Sequence, residues 1–138
     1  MKRHTDAVKA RIQTVPQIAA KVFVATARKV DGKLQSPPYV LIYPAEGTDD
    51  TDRLDGPRVI QRPRFTIHIV GTSYDNVQTL TEQIKPLFIV NGRAIQVHVD
   101  GERGSGLFWE SPTPIQWDFD VHDRLYQVIE LGFTSEPA

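Results

Sequence analysis

The pattern of this chain predicts one α+β domain: a largely antiparallel or mixed β-sheet packed by about two helices, with long polar loops between them. Three observations carry that expectation. Several separate stretches alternate apolar and polar residues, the mark of half-buried strands. Two others place apolar residues at helical spacing instead. Ten prolines and nine glycines punctuate 138 residues and enforce frequent breaks and turns. The length suits a single domain spanning 1–138 with a modest core.

A first helix is expected over about Asp6 to Thr14, capped by Thr5 or Asp6, with Val8, Ile12 and Val15 at helical spacing. Pro16 stops it, because the residue before a proline avoids the helical region. Periodicity leaves Ile18 to Thr26 open, but Lys21 to Thr26 has the β-branched and aromatic content of a strand. Asp31-Gly32 reads as a turn. Tyr39 to Tyr43, bounded by Pro37-Pro38 and Pro44, is a continuous apolar run and so a strand buried on both faces. Ala45 to Pro57 is long, acidic and glycine-punctuated, with Leu54 as its apolar anchor. Loops of that kind are usually functional or disordered.

Arg62 to Val70 is the clearest strand, with Phe65, Ile67 and Ile69 on one face and Arg64, Thr66 and His68 on the other. Gly71 breaks it. Thr72 to Asp75 matches a helix capping box, and Val77, Leu80, Ile84 and Leu87 then mark one helix face. Pro86 ends or kinks that helix. Asn91-Gly92 between Phe88-Ile89-Val90 and Arg93-Ala94-Ile95 signals a two-residue hairpin, its second arm continuing to Val99. Asp100 to Gly106 reads as a flexible glycine-rich loop and Leu107 to Glu110 as a short strand. Ile115 to His122 alternates again. Arg124 to Thr134 is the last strand, followed by frayed residues 135–138.

Composition narrows the functional classes. There is no cysteine, which excludes disulfides and thiolate-held metals. The formal net charge of −1 argues against a general nucleic-acid binder. No apolar run approaches the roughly 20 residues needed to cross a bilayer, and the basic N-terminus lacks the apolar region of a secretory signal. Charge is nevertheless uneven. Residues 1–33 are basic, with Lys2, Arg3, Lys9, Arg11, Lys21, Arg28, Lys29 and Lys33. Residues 44–56 are acidic, with Glu46, Asp49, Asp50, Asp52 and Asp55 against Arg53. Solvated surfaces account for such runs, but so does a head-to-tail contact in which one copy's basic patch meets the next copy's acidic loop.

Catalytic and ligand chemistry finds little support. Asp118, Asp120 and His122, with His98 and Asp100 as possible additions, offer oxygen and imidazole ligands for a divalent metal. The polar side of a half-buried strand produces the same spacing by alternation alone. His68 and His98 likewise fit surface positions on polar strand faces. Gly101 to Gly106 lacks the lysine and hydroxyl of a phosphate loop. No nucleophile elbow is present. Trp109, Trp117 and Phe119 fit core or interface positions better than base stacking. No catalytic residue, cofactor or metal site is therefore assigned.

Four segments, in order, resemble the tail terminator proteins of phages with long non-contractile tails. They are DAVKARIQ, PPYVLIYPAEG, PRFTIHIVGTSYDNVQTLTEQIKPLF and DRLYQVIELGF. The resemblance implies a non-enzymatic virion protein, assembled in the host cytoplasm and placed at the head-proximal end of the tail. It implies a homohexameric ring with one face on the tail tube protein and the other on a head-side connector or stopper. Genome DNA would cross the lumen without specific binding. Another head–tail connector, a stopper or adaptor, is the near alternative; a small metal-dependent enzyme is a more distant one. Two polar loops, 44–58 and 100–106, are expected to face the tube, which makes Glu46, Asp49, Asp50, Asp52, Arg53, Asp55, Glu102 and Arg103 the candidate interface residues.

Overall fold

The structure is a computed structural model that describes residues 2–25, 35–45, 49–51, 59–118 and 124–137. It has the expected α+β architecture, with a mixed sheet covered on one face by two α-helices. The elements, in chain order, are α1 (Lys2–Ile12), β1 (Val22–Val24), β2 (Tyr39–Ala45), β3 (Asp49–Thr51), β4 (Val59–Gln61), β5 (Arg64–Gly71), α2 (Tyr74–Ile84), β6 (Ile89–Val90), β7 (Arg93–Ala94), β8 (Glu102–Glu110), β9 (Gln116–Trp117) and β10 (Leu125–Pro137). Short 3-10 turns at Pro16–Ile18 and Lys85–Leu87 follow the two α-helices.

β10 is the spine of the sheet. One edge pairs antiparallel with β5 and then β4; the other pairs with β9 and then β8. β2 lies antiparallel on the far side of β5, and β1 lies parallel to β2 at the sheet edge. β4 and β5 form one line broken by Arg62-Pro63, because Gly132 faces Arg64 and, three residues further along each strand, Ser135 faces Gln61. β3 pairs with β4 in turn. The stretch read from sequence as an open loop therefore contains paired backbone. β2–β3 and β4–β5 make a long hairpin arm, and residues 52–58 link its two sides.

Alternation builds the core. Phe65, Ile67 and Ile69 of β5, Val40 and Ile42 of β2, and Ile129, Leu131 and Phe133 of β10 point to the helix side, all essentially inaccessible. Val8 and Ile12 of α1 and Val77, Leu80 and Ile84 of α2 close over them. Each such side chain contributes at most about 1.5–3 kcal/mol. Together they outweigh the marginal propensity of two 11-residue helices.

Several boundaries differ from the sequence reading, each for a local reason. α1 starts at Lys2 rather than Asp6, because His4 and Thr5 belong to its buried face. β2 runs through Pro44 to Ala45, and its second face is only half buried at Leu41 and Tyr43. α2 is capped one residue later than the predicted box. Ser73 Oγ accepts from the Asn76 N–H at 3.2 Å, and Asn76 Oδ1 accepts from the Thr72 N–H at 3.1 Å, so Asn76 takes the carboxylate's reciprocal role. The Asn91-Gly92 hairpin forms as expected, with φ of 52° and 76° at the two turn residues.

Residues 95–99 are irregular instead of a strand. They cross β8 so closely that a Cβ at Gly104 would run into the Val97 carbonyl. Gln96 Oε1 and His98 Nδ1 accept from the Leu107 and Gly104 N–H groups, at 3.2 Å each. Those side chains take backbone donors on β8 that another strand would otherwise meet. The expected 100–106 loop is in fact the start of β8, held by β10. The expected frayed terminus is strand through Pro137, since Ser135 pairs with Gln61 on one side and Gly104 on the other. Of the strand expected over 115–122, β9 is the described part, and 119–123 lie outside the described residues.

Candidate assembly surfaces

The candidate interface residues fall into two places. Asp49 and Asp50 lie on β3, in the hairpin arm. Glu46, Asp52, Arg53 and Asp55 belong to the same arm in sequence but lie outside the described residues. The arm's described backbone is the β3–β4 pairing, which joins the main sheet where Gln61 faces Ser135.

Glu102 and Arg103 open β8, and the two differ sharply. Arg103 is exposed, whereas Glu102 is the centre of a half-buried cluster. Its Oε1 accepts from Ser135 Oγ at 3.0 Å and faces His4 Nε2 at 3.2 Å; its Oε2 lies 3.3 Å from Arg3 Nη1. Arg3 also donates to the Asp100 carbonyl. His4 is 2% exposed and packs against Phe133. This carboxylate ties α1 to β8 and β10. It is a charge-assisted junction between the two ends of the chain.

The basic N-terminal third is partly committed inside the molecule. Lys2 pairs with Asp6, Arg3 with Glu102, and Lys21 donates to the Ser36 carbonyl. Arg11 is engaged most fully. Its guanidinium donates to the carbonyls of Leu87, Ile95 and Gln96, at 3.3, 2.7 and 2.8 Å, and lies 5.2 Å from the Phe88 ring centre. Burial pushes its pKa down, and the carbonyl oxygens give the cation the partners it lost from water. Arg28, Lys29 and Lys33 lie outside the described residues. Fewer cations are therefore left to meet an acidic arm than the sequence count implies.

The sheet face away from the helices carries an aromatic row. His68 on β5 stacks on Tyr126 of β10 at 5.4 Å and meets the edge of Tyr43 on β2 at 5.0 Å. Thr66 donates to Glu130 on the same face, and Arg64 lies over the Phe108 ring at 5.5 Å. Burial lowers the His68 pKa, with Glu130 pulling the other way. The ring lies on a face that neither α-helix covers. Gln35, Tyr39 and Arg124 close one corner through hydrogen bonds from Arg124 of 2.9 Å to the Gln35 carbonyl and 3.0 Å to the Tyr39 hydroxyl.

On the helix side, a groove of about 400 Å³ runs between α2 and residues 114–115. One stripe of α2 lines it, from Tyr74 through Gln78 and Glu82 to Lys85. Gln127 forms part of its wall, accepting from Thr81 at 3.0 Å and donating to Ser111 at 2.7 Å. No single segment signals this groove, because it needs α2 and the proline-rich stretch after β8 brought side by side.

Among the described residues no three histidine or acidic side chains cluster for a metal, and Asp120 and His122 lie outside them. His98 spends its Nδ1 on the Gly104 N–H, while His68 sits in the aromatic row. The two histidines have separate surroundings.

No protein-family model matches the chain, and no curated protein matches it. Among solved structures, the chain is similar in fold to a chain of the "Virion of native gene transfer agent (GTA) particle". The TM-score is 0.56 and the identity 15%, over 96% of this chain and 92% of that one. At that identity the likeness is one of fold, and it spans nearly the whole of both chains.

Proposed function

We propose that this chain is a structural virion protein of a phage-like particle, and specifically a tail terminator: a ring that caps the tail tube, stops its polymerisation and offers the surface on which the head joins. The observation that carries this reading is the end-to-end fold likeness to a chain of a gene transfer agent virion. The four sequence segments that resemble tail terminators agree with it, and all four fall on elements of the shared domain: α1, β2, β5–α2 and β10.

The chemistry of the role is passive. Tube subunits stack through repeating unlike surfaces and would otherwise extend as an open filament. A cap must match the exposed tube face while giving the next tube subunit nothing to bind. The hairpin arm suits this work, because it carries Asp49 and Asp50 within an acidic stretch of the chain. We assign it, with Arg103 at the start of β8, to the tube-facing side. A lumen with little positive charge would let genome DNA slide, since lysine and arginine there would grip phosphates.

The direct biochemical test is to add the purified chain to polymerising tail-tube protein. Growth should stop at sub-stoichiometric amounts, and unchanged tube length at a molar excess contradicts the reading. The same virion likeness also suits a neighbouring connector. Binding to DNA-filled heads, with no effect on tube growth, would select the stopper or adaptor instead.

A further inference from the structure

We infer that residues 95–99 are an autoinhibitory strap: they seal the outer edge of β8 against the addition of another strand, and releasing them opens that edge to pairing between chains. The inference rests on the geometry of this one segment and stands apart from the tail-terminator reading.

An open strand edge is a row of backbone donors and acceptors ready to pair with another chain. β8 is nine residues long, and β10 takes one of its edges. On the other, the Gly104 and Leu107 N–H groups donate to His98 Nδ1 and Gln96 Oε1, at 3.2 Å each. Buried backbone donors need acceptors, and here side chains supply them in place of a neighbouring strand's carbonyls. The donors are satisfied without passing the pairing on to a further strand.

The sequence builds this closure from both sides. Gly104 lacks the Cβ that would run into the Val97 carbonyl, so the strap crosses β8 at backbone contact. Gly106 takes a φ of 63°, and there the register between β8 and β10 slips by one residue. Such a bulge twists an edge and spoils its match to an incoming strand. The strap itself is held at its ends and from beneath. Arg11 grips the Ile95 and Gln96 carbonyls from α1, and the Ile95 N–H donates to the Phe88 carbonyl at 2.6 Å. The Glu102 N–H donates to the Val99 carbonyl at 2.8 Å. Val97 and Val99 are 1% and 9% exposed. The alternation of this segment therefore has two uses: the valines fill the interior, while Gln96 and His98 stand in for a strand.

The test uses full-length variants. Gln96→Ala/His98→Ala removes both acceptors and leaves the buried valines in place. Gly104→Ala puts a methyl group against the Val97 carbonyl and pushes the strap off directly; should it fail to fold, the double variant decides alone. Leu80→Ala, in α2, is the control for lost stability with the strap intact. Circular dichroism and melting establish that each chain is folded. Amide hydrogen exchange and light scattering over a concentration series are then read together. In the strap variants, exchange at residues 104 and 107 should run roughly tenfold or more faster than in the parent chain while β5 keeps its protection. Their self-association should strengthen by roughly tenfold or more over the parent's. Leu80→Ala should show neither change. Unchanged exchange at 104 and 107 in the folded double variant overturns the inference. Fast exchange without added association also overturns it, as does equal association by Leu80→Ala, which would tie the effect to lost stability.

Discussion

At the scale of single residues, the molecule concentrates its polar chemistry in a few junctions. Glu102 satisfies Ser135 and His4 and pairs with Arg3, with its own side chain only 17% exposed. Glu102→Ala should cost about 2 kcal/mol in urea unfolding, because three donors lose a charged acceptor together. Its sequence position, beside two glycines, suggested a loop; only the pairing of β8 with β10 reveals it as a hub. His68 makes a second residue-scale case. Its folded pKa lies below the ordinary histidine value of about 6.5, so the unfolded chain binds more protons in that range. Its contribution is present above that value and is lost as pH falls below it. The groups that face it are Glu130, Tyr43 and Tyr126. Melting temperature should therefore fall between neutral pH and pH 5, and His68→Phe should flatten part of that slope. An unchanged slope in the variant assigns the acid sensitivity elsewhere.

At the scale of elements, Arg11 links α1 to the hairpin, and this link is measurable. Arg11→Met keeps the aliphatic packing but orphans the carbonyls of Leu87, Ile95 and Gln96. Hydrogen exchange should speed up at 88–96 before it does so in α2 or β5, with a global loss of about 2–3 kcal/mol. In α2, Leu80→Ala should cost about 2–5 kcal/mol, since the side chain is fully buried and the core leaves a cavity behind it. Elements with strong local signals were legible in the sequence. β5 showed clean alternation, α2 a cap and an apolar stripe, and β6–β7 an Asn-Gly turn. Elements that depend on partners far along the chain were not. Gly104 looks like loop until β10 is beside it, and Ser135 looks frayed until Gln61 and Gly104 flank it. Residues 95–99 alternate like a strand, yet Gln96 and His98 turn to cap β8. Non-local pairing overrides local pattern in each case.

At the scale of the whole molecule, surfaces carry the proposed role. The acidic arm was visible in the sequence as a run of aspartates, but its hairpin pairing was not. The groove along α2 was invisible, because no single segment contains it. Deleting residues 48–55 removes β3 and its pairing with β4; the rest of the domain should stay folded and capping should be abolished, and an arm-deleted chain that still caps removes the arm from the tube face. The central claim is that this domain ends a tail tube by shape. Negative-stain microscopy of the folded chain mixed with isolated tail tubes tests it most directly. A ring of density at one end of each tube is the expected image, and bare ends on every tube at saturating protein would contradict the account.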